Sequence, residues 1–229
     1  MVLKSVNSMQ TFKILLVIVM VACAVVITAL LVRRELFLGQ VSEREPDQVL
    51  SDSVWQVLSE SHVEYEAAAA RPVTVVEYFD YECPFCGELQ PMLNALEERY
   101  SEDITLIYRH YPAFYHIAAY DAAIAAECAA NQGYFKVYHN MLFANQPLLS
   151  DSVDWNLLAQ MARLPDLLRF SNCVSAVRPA PKVKADMAMA NMFGINGIPT
   201  LIVNGAVYTG LMTSNELDSI LQRALRDAD

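Results

Sequence analysis

At 229 residues, 55% hydrophobic and 18% charged, the chain can bury one core of ordinary domain size, which excludes a disordered chain. Its 7 glycines exclude collagen-like and glycine-linker architectures. All 26 acidic residues lie after Arg34, and beyond that arginine only 12 basic residues oppose them, a net −14. A body of that sign repels a phosphate backbone, so nucleic-acid binding is disfavoured.

Residues 14–32 are 19 consecutive uncharged positions, enough for a helix of roughly the hydrocarbon thickness of a bilayer. Lys4 and Lys13 precede this run, no face of it is polar, and it shows no small-residue cleavage site. Met20-Val21-Ala22-Cys23 has the look of a lipoprotein box, but nine more uncharged residues follow Cys23. Residues 1–34 therefore read as an uncleaved, single-pass signal anchor. Arg33 and Arg34 follow the run, so charge alone does not orient it.

Residues 35–71 read as a linker and an amphipathic helix, 47–70, with Leu50, Val54, Val57 and Leu58 on one side for packing or self-association. The remainder, 72–229, alternates strands and helices. The pattern predicts strands over 73–79 and 103–110 with a helix over 83–99 between them. Helices follow over 116–131 and 134–145. Another runs towards 163, capped by Asp151 or Ser152; a short one starts at Pro165, and a further one spans 182–193. Strands 200–203 and 206–209 flank Asn204-Gly205, a strong hairpin signal. A helix from Ser214, capped by that serine, closes the chain. Strands alternating with helices around a helical block over about 113–193 define an α/β fold.

The chemistry concentrates at Cys83-Pro84-Phe85-Cys86, after a buried strand and at the start of a helix. Unpaired backbone N–H groups and the helix dipole favour an anion there, which lowers a thiol pKa. Cys83 is thus the candidate nucleophile, and Cys86, one turn further in, the buried partner that resolves a mixed disulfide. Glu77, six residues earlier in the apolar strand, is costly to bury as a carboxylate and is a candidate proton-transfer group for Cys86; a solvated place at a sheet edge is the plainer alternative. A zinc site needs two more ligands, and Cys128 and Cys173 each stand alone, so no metal is expected. Asp80 and Glu82 either raise the Cys83 pKa or, for Asp80, cap the helix. His110 or His116 lies near the groove or serves structure. Tyr78, Phe79 and Tyr81 read as core, with Phe85 exposed beside the sulfurs.

An apolar strand with Glu77, then CPxC, then Pro91, and finally Gly197-Ile198-Pro199-Thr200 before Asn204-Gly205 resembles the thioredoxin fold. The stretch 118–143 (AAYDAAIAAECAANQGYFKVYHNMLF) and GINGIPTLIVNG resemble the DsbA-like thiol:disulfide oxidoreductases, and the resemblance covers 72–228. It implies a thioredoxin-like fold with an inserted helical domain and no cofactor. Pro199 would be a cis-proline facing the sulfurs, Ile198 a donor of backbone hydrogen bonds to substrate, and Pro84 and Phe85 further substrate contacts. Glu77 would be the family's buried acid, and Pro91 would kink the active-site helix. The implied location is the bacterial inner membrane, with the catalytic domain in the periplasm or outside the membrane. In that oxidising compartment Cys128 and Cys173 are expected to pair; two buried free thiols are the alternative.

One position departs from the family's strong oxidant, which has histidine where this chain has Phe85. Phenylalanine gives the Cys83 thiolate neither a hydrogen bond nor a positive charge, which leaves the direction of catalysis open. The expectation is an oxidant of exported proteins with cysteines, reoxidised by a quinone-linked membrane partner. The alternatives are a reductase or isomerase fed by a membrane electron donor, self-associated as such isomerases often are, and a binding or chaperone module in which CPFC is only structural.

Overall fold

The computed structural model describes residues 3–38, 44–60, 71–149, 152–176 and 180–228. It divides into two units, Met1–Ser42 and Glu43–Asp229. The first is built on α1 (Leu3–Leu38). Its stretch Phe12–Arg33 is long and apolar enough to cross a membrane, with a mean hydropathy of 3.3 and its side chains exposed.

The second unit is built on a five-stranded sheet. Its strands are β1 (Gln48–Val49), β2 (Val73–Phe79), β3 (Ile104–His110), β4 (Thr200–Val203) and β5 (Ala206–Thr209), in the spatial order β1-β5-β4-β2-β3. β2 and β3 are parallel, with Glu77 opposite Tyr108, and the other pairings are antiparallel. Parallel pairing requires a crossover, which α3 (Pro84–Arg99) supplies. The β4–β5 hairpin turns on Asn204 and Gly205, both at positive φ, as a tight two-residue loop demands.

Because side chains alternate across a strand, β2 feeds two cores. Val73 and Val75 pack with Leu89, Leu93 and Leu96 of α3 and with Leu217, Ile220 and Leu221 of α9 (Ser214–Ala228). Val76 and Tyr78 face the other way, towards Leu58 of α2 (Asp52–Glu60), Ile107 and Ile202. A third cluster joins Phe79, Tyr81 and both CPFC cysteines to the helical block. That block comprises α4 (Ala119–Ala130), α5 (Phe135–Ala144), a 3-10 turn (Gln146–Leu148), α6 (Trp155–Met161), α7 (Leu167–Ala176) and α8 (Pro181–Met192). Alanines fill the buried face of α4, which lets its neighbours approach closely. A disulfide links Cys128 of α4 to Cys173 of α7, 45 residues apart.

Buried charge ties the block to the sheet. Arg109 pairs with Asp186 of α8 at 3.0 Å, both side chains at most 2% exposed. Asp186 also accepts from the His110 amide and from Lys182, and Arg109 donates to the Leu58 carbonyl.

Two boundaries before residue 61 differ from the sequence expectation. The α1 helix runs on to Leu38, past the expected end of the anchor at Arg34. Residues 44–60 are also not a free linker with a helix beginning at 47. Asp47 bonds β5 through its amide and carboxylate, and Gln48–Val49 extend the sheet edge before α2 starts at Asp52. Leu50, Val54, Trp55 and Leu58 pack in this domain's own cluster of Val76 and Tyr78 while Val57 is exposed, so the apolar face is spent on packing, with Trp55 in the place expected of Val57. The expected stretch 61–70 lies outside the described residues. Two caps also sit elsewhere. Asp154 caps α6 by accepting from the amides of Asn156 and Leu157, and Thr213, not Ser214, makes a reciprocal capping box with Glu216 at α9. Pro165 is followed by Asp166, whose carboxylate accepts from the Arg169 amide at the start of α7.

Candidate active site

Cys83 is the residue before the first turn of α3, and Pro84 occupies that first turn, where its missing N–H costs nothing. α3 continues through Pro91 to Arg99, so this proline interrupts the hydrogen-bond ladder without ending the helix. Cys83 is 5% exposed, Cys86 fully buried, and Phe85 stands out at 55% exposure. The Cys83 thiol is lowered from 9.0 to about 6, first by a hydrogen bond from Cys86 and further by the amides of Cys86 and Phe85, against burial and the nearby Asp80 charge. Burial pushes Cys86 strongly up, and Cys83 and Glu77 add to that. The pair is therefore asymmetric: the Cys83 sulfur favours its thiolate, and the Cys86 sulfur keeps its proton.

Glu77 lies on an interior strand, between β4 and β3, on the same face of β2 as Val73, Val75 and Phe79. The sheet-edge alternative does not hold, since its side chain is fully buried and neither carboxylate oxygen has a hydrogen-bond partner among the described residues. Desolvation pushes it up to about 8, with the Lys136 charge opposing and Glu97 adding. Lys136 of α5 is held beside the Tyr108 hydroxyl and pairs with Glu97 at 2.5 Å. At neutral pH Glu77 is thus mostly a neutral acid next to the dithiol.

The loop before β4 meets the sulfurs. The Ile198–Pro199 peptide is cis, Pro199 is buried, and the Cys83 thiol points to the Ile198 carbonyl at 3.9 Å. Cys83, Pro84, Phe85 and Ile198 line a groove of about 550 Å3. Residues 111–116 and Met187 and Asn191 of α8 line it as well. Among these, Phe114 is 97% and Tyr115 64% exposed.

Asp80 does not cap α3. Its Oδ1 accepts from the Glu82 amide, and its Oδ2 faces the Ala113 amide and His116 Nδ1 at 2.6 Å. Glu82 accepts from the Ala118 amide. The two acids before Cys83 therefore pin the loop whose residues 111–116 line the groove. Of the two histidines, His116 lines the groove, while His110 is buried against Glu127. Phe114, Tyr115 and Met187 went unnoticed in the sequence. Two adjacent aromatics in a proline-containing loop straight after a strand were the available signal. The described residues hold no cluster suited to a metal ion.

A βαβ unit with a helix-opening CPFC, a hairpin entered through a cis-proline and a helical block between them defines a dithiol–disulfide protein of thioredoxin type. A family model described as Thioredoxin matches residues 66–223. The fold is shared with a thioredoxin-like oxidoreductase from Silicibacter pomeroyi (26% identity, 68% of this chain and 88% of that one, TM-score 0.55). It is shared too with a periplasmic thioredoxin-like protein from Salmonella enterica (18%, 78% and 99%, 0.63) and alpha-DsbA1 from Wolbachia pipientis (20%, 69% and 88%, 0.60). The chain belongs to the thioredoxin family, and it shares the fold of the DsbA-like proteins. A curated relative, the Na(+)/H(+) antiporter NhaA 3 of Salinispora tropica, is 36% identical over 159 residues, 69% of this chain. This chain spans about a quarter of that protein's length, and the antiporter name belongs to that whole protein.

Proposed function

We propose that the protein is a membrane-anchored disulfide oxidant of exported proteins with cysteines, acting through Cys83 and Cys86. The observation that carries this reading is the placement of the pair, with Cys83 at the amino terminus of α3 beside the Ile198 carbonyl and Cys86 fully buried one turn further in. A substrate thiolate attacks Cys83 of the closed disulfide. The Cys83–Cys86 bond breaks, a substrate–Cys83 bond forms, and Cys86 leaves as a thiol with a proton from Glu77. A second substrate thiolate attacks the substrate sulfur of this mixed disulfide and expels Cys83 as a stabilised thiolate. Two electrons have then passed from substrate to enzyme, and a quinone-linked membrane partner takes them on. The Ile198–Pro199 loop, Pro84 and Phe85 hold the substrate segment in the groove.

The apolar helix supports anchoring in the bacterial inner membrane, and the Cys128–Cys173 disulfide supports a catalytic domain in the oxidising space outside it. One observation favours the opposite direction: the Asp80 charge works against the Cys83 thiolate, and Phe85 offers it no cation. A reductase or isomerase fed by a membrane donor follows if that effect dominates. The deciding experiment equilibrates the protein in glutathione buffers and reads the reduction potential of Cys83–Cys86. A value near roughly −120 mV makes it an oxidant, and one near roughly −200 mV or below makes it a reductase or isomerase. Cys83→Ser must abolish exchange with the fold intact. Retained function in that variant would leave a binding module.

A further inference from the structure

The side chain of Cys83 makes no capping bond to α3, so its backbone is fixed by other means. The Cys83 carbonyl accepts the helical N–H of Gly87 at 3.1 Å and, from outside the helix, Nε2 of Gln146 at 2.8 Å. The same nitrogen donates to the Tyr81 carbonyl at 2.8 Å. A primary amide nitrogen carries two hydrogens, one for each carbonyl. Gln146 opens the 3-10 turn that follows α5, and His139 of α5 meets the Tyr81 hydroxyl at 3.0 Å. The residues leading into CPFC thus hang from α5 and its exit turn.

Gly87 fits this arrangement. A Cβ built on it would come within 3.1 Å of Cδ of Gln146 and closer still to its Oε1, and the three atoms nearest such a Cβ all belong to Gln146. The φ of Gly87 lies outside the left-handed region, so its backbone does not call for glycine, and alanine is the better helix former. The close approach of Gln146 is what calls for it.

We infer that Gln146 is a positioning residue for Cys83, clamping the Tyr81 and Cys83 carbonyls so that the first turn of α3 aims its amides at the Cys83 sulfur, and that Gly87 is glycine to admit the clamp. The inference rests on Cys83 being the attacking thiol. Gln146 touches no reacting atom. It acts through the Phe85 and Cys86 amides, which are among the groups that favour the thiolate. When the turn loosens, these bonds weaken and the thiol regains its proton.

The test uses the full chain, reduced and in detergent micelles. Cys83 is titrated through the pH dependence of its alkylation rate, with Tm measured in parallel. Gln146→Ala and Gln146→Met, which cannot donate, should each raise the midpoint by roughly one unit, about tenfold less thiolate at a pH below it. Gly87→Ala should raise it too, by displacing an intact Gln146. The double variant Gly87→Ala/Gln146→Ala should be no worse than Gln146→Ala alone, because the methyl then has no glutamine to meet. A lower Tm with an unchanged midpoint in both Gln146 variants would make the residue structural only. Additive effects of Gly87→Ala and Gln146→Ala would break the link between the two. A wild-type Cys83 that alkylates no faster than an ordinary thiol at neutral pH would instead overturn the thiol-exchange reading, and this inference with it.

Discussion

Replacing Glu77 by glutamine should remove a pH dependence of stability that this one carboxyl imposes. Its ordinary value is 4.5 and its folded value about 8, because burial disfavours the anion. The sign follows from linkage. Between those two values the folded state holds the proton and the unfolded state has lost it, so the folded state's advantage is complete below 4.5 and is lost as pH rises to 8. The slope is about 1.4 kcal/mol per pH unit, or roughly 4 kcal/mol between pH 5 and pH 8. A buried glutamine amide in the same unpartnered position costs about 1–3 kcal/mol at every pH, so it shifts the curve without tilting it. Denaturant unfolding of the reduced wild type and Glu77→Gln across pH 5 to 9 isolates the effect, since all other titrating groups cancel in the difference. The variant should gain roughly 4 kcal/mol on the wild type from pH 5 to pH 8. A difference that stays constant to within about 1 kcal/mol would show that Glu77 is solvated or paired, and the proton-donor role would fall with it. Exchange should meanwhile slow by roughly a hundredfold or more, the usual worth of a positioned acid.

Cys86→Ala removes the largest cause of the lowered Cys83 value, so the alkylation midpoint should rise from about 6 towards the ordinary thiol range; an unmoved midpoint would leave the helix amides as the whole cause. Arg109→Ala takes the guanidinium away from the buried Asp186 carboxylate, which among the described residues keeps Lys182 as its cationic partner, and should lower stability by roughly 3–5 kcal/mol as read from the denaturant midpoint. Replacing Cys128 and Cys173 together with alanine opens a loop of 45 residues and should cost about 4 kcal/mol, with the Cys83 alkylation profile unchanged. Thr213→Ala should lower stability by about 1 kcal/mol through the lost capping box at α9, and Ser214→Ala by much less.

Local chemistry was legible in the sequence wherever a short pattern carries its own physics. A β-branched apolar run became β2 over the expected residues, and Asn204-Gly205 became the hairpin turn because few other pairs tolerate two positive φ angles. CPFC after that strand placed one sulfur at a helix end and the other beneath it, since the spacing equals one helical turn. The edge strand β1 left no periodic trace, being two residues long, and only its pairing with β5 identifies it. Which apolar side chains of α2 are buried was likewise decided by the sheet beneath them, so Trp55 packs and Val57 does not.

Polar partners at long range were the part that tertiary structure alone decided. Asp80 looked like a cap, yet the carboxylate serves Ala113 and His116, 33 and 36 residues away. Arg109 finds Asp186 across 77 residues, and Gln146 reaches Cys83 across 63. A hydrogen bond depends on angstroms between atoms, and residues so far apart in the chain acquire that distance only when the whole sheet and its helical block have packed. The dithiol and its apolar strand are written into consecutive residues; what tunes them is contributed by whichever elements the fold brings alongside.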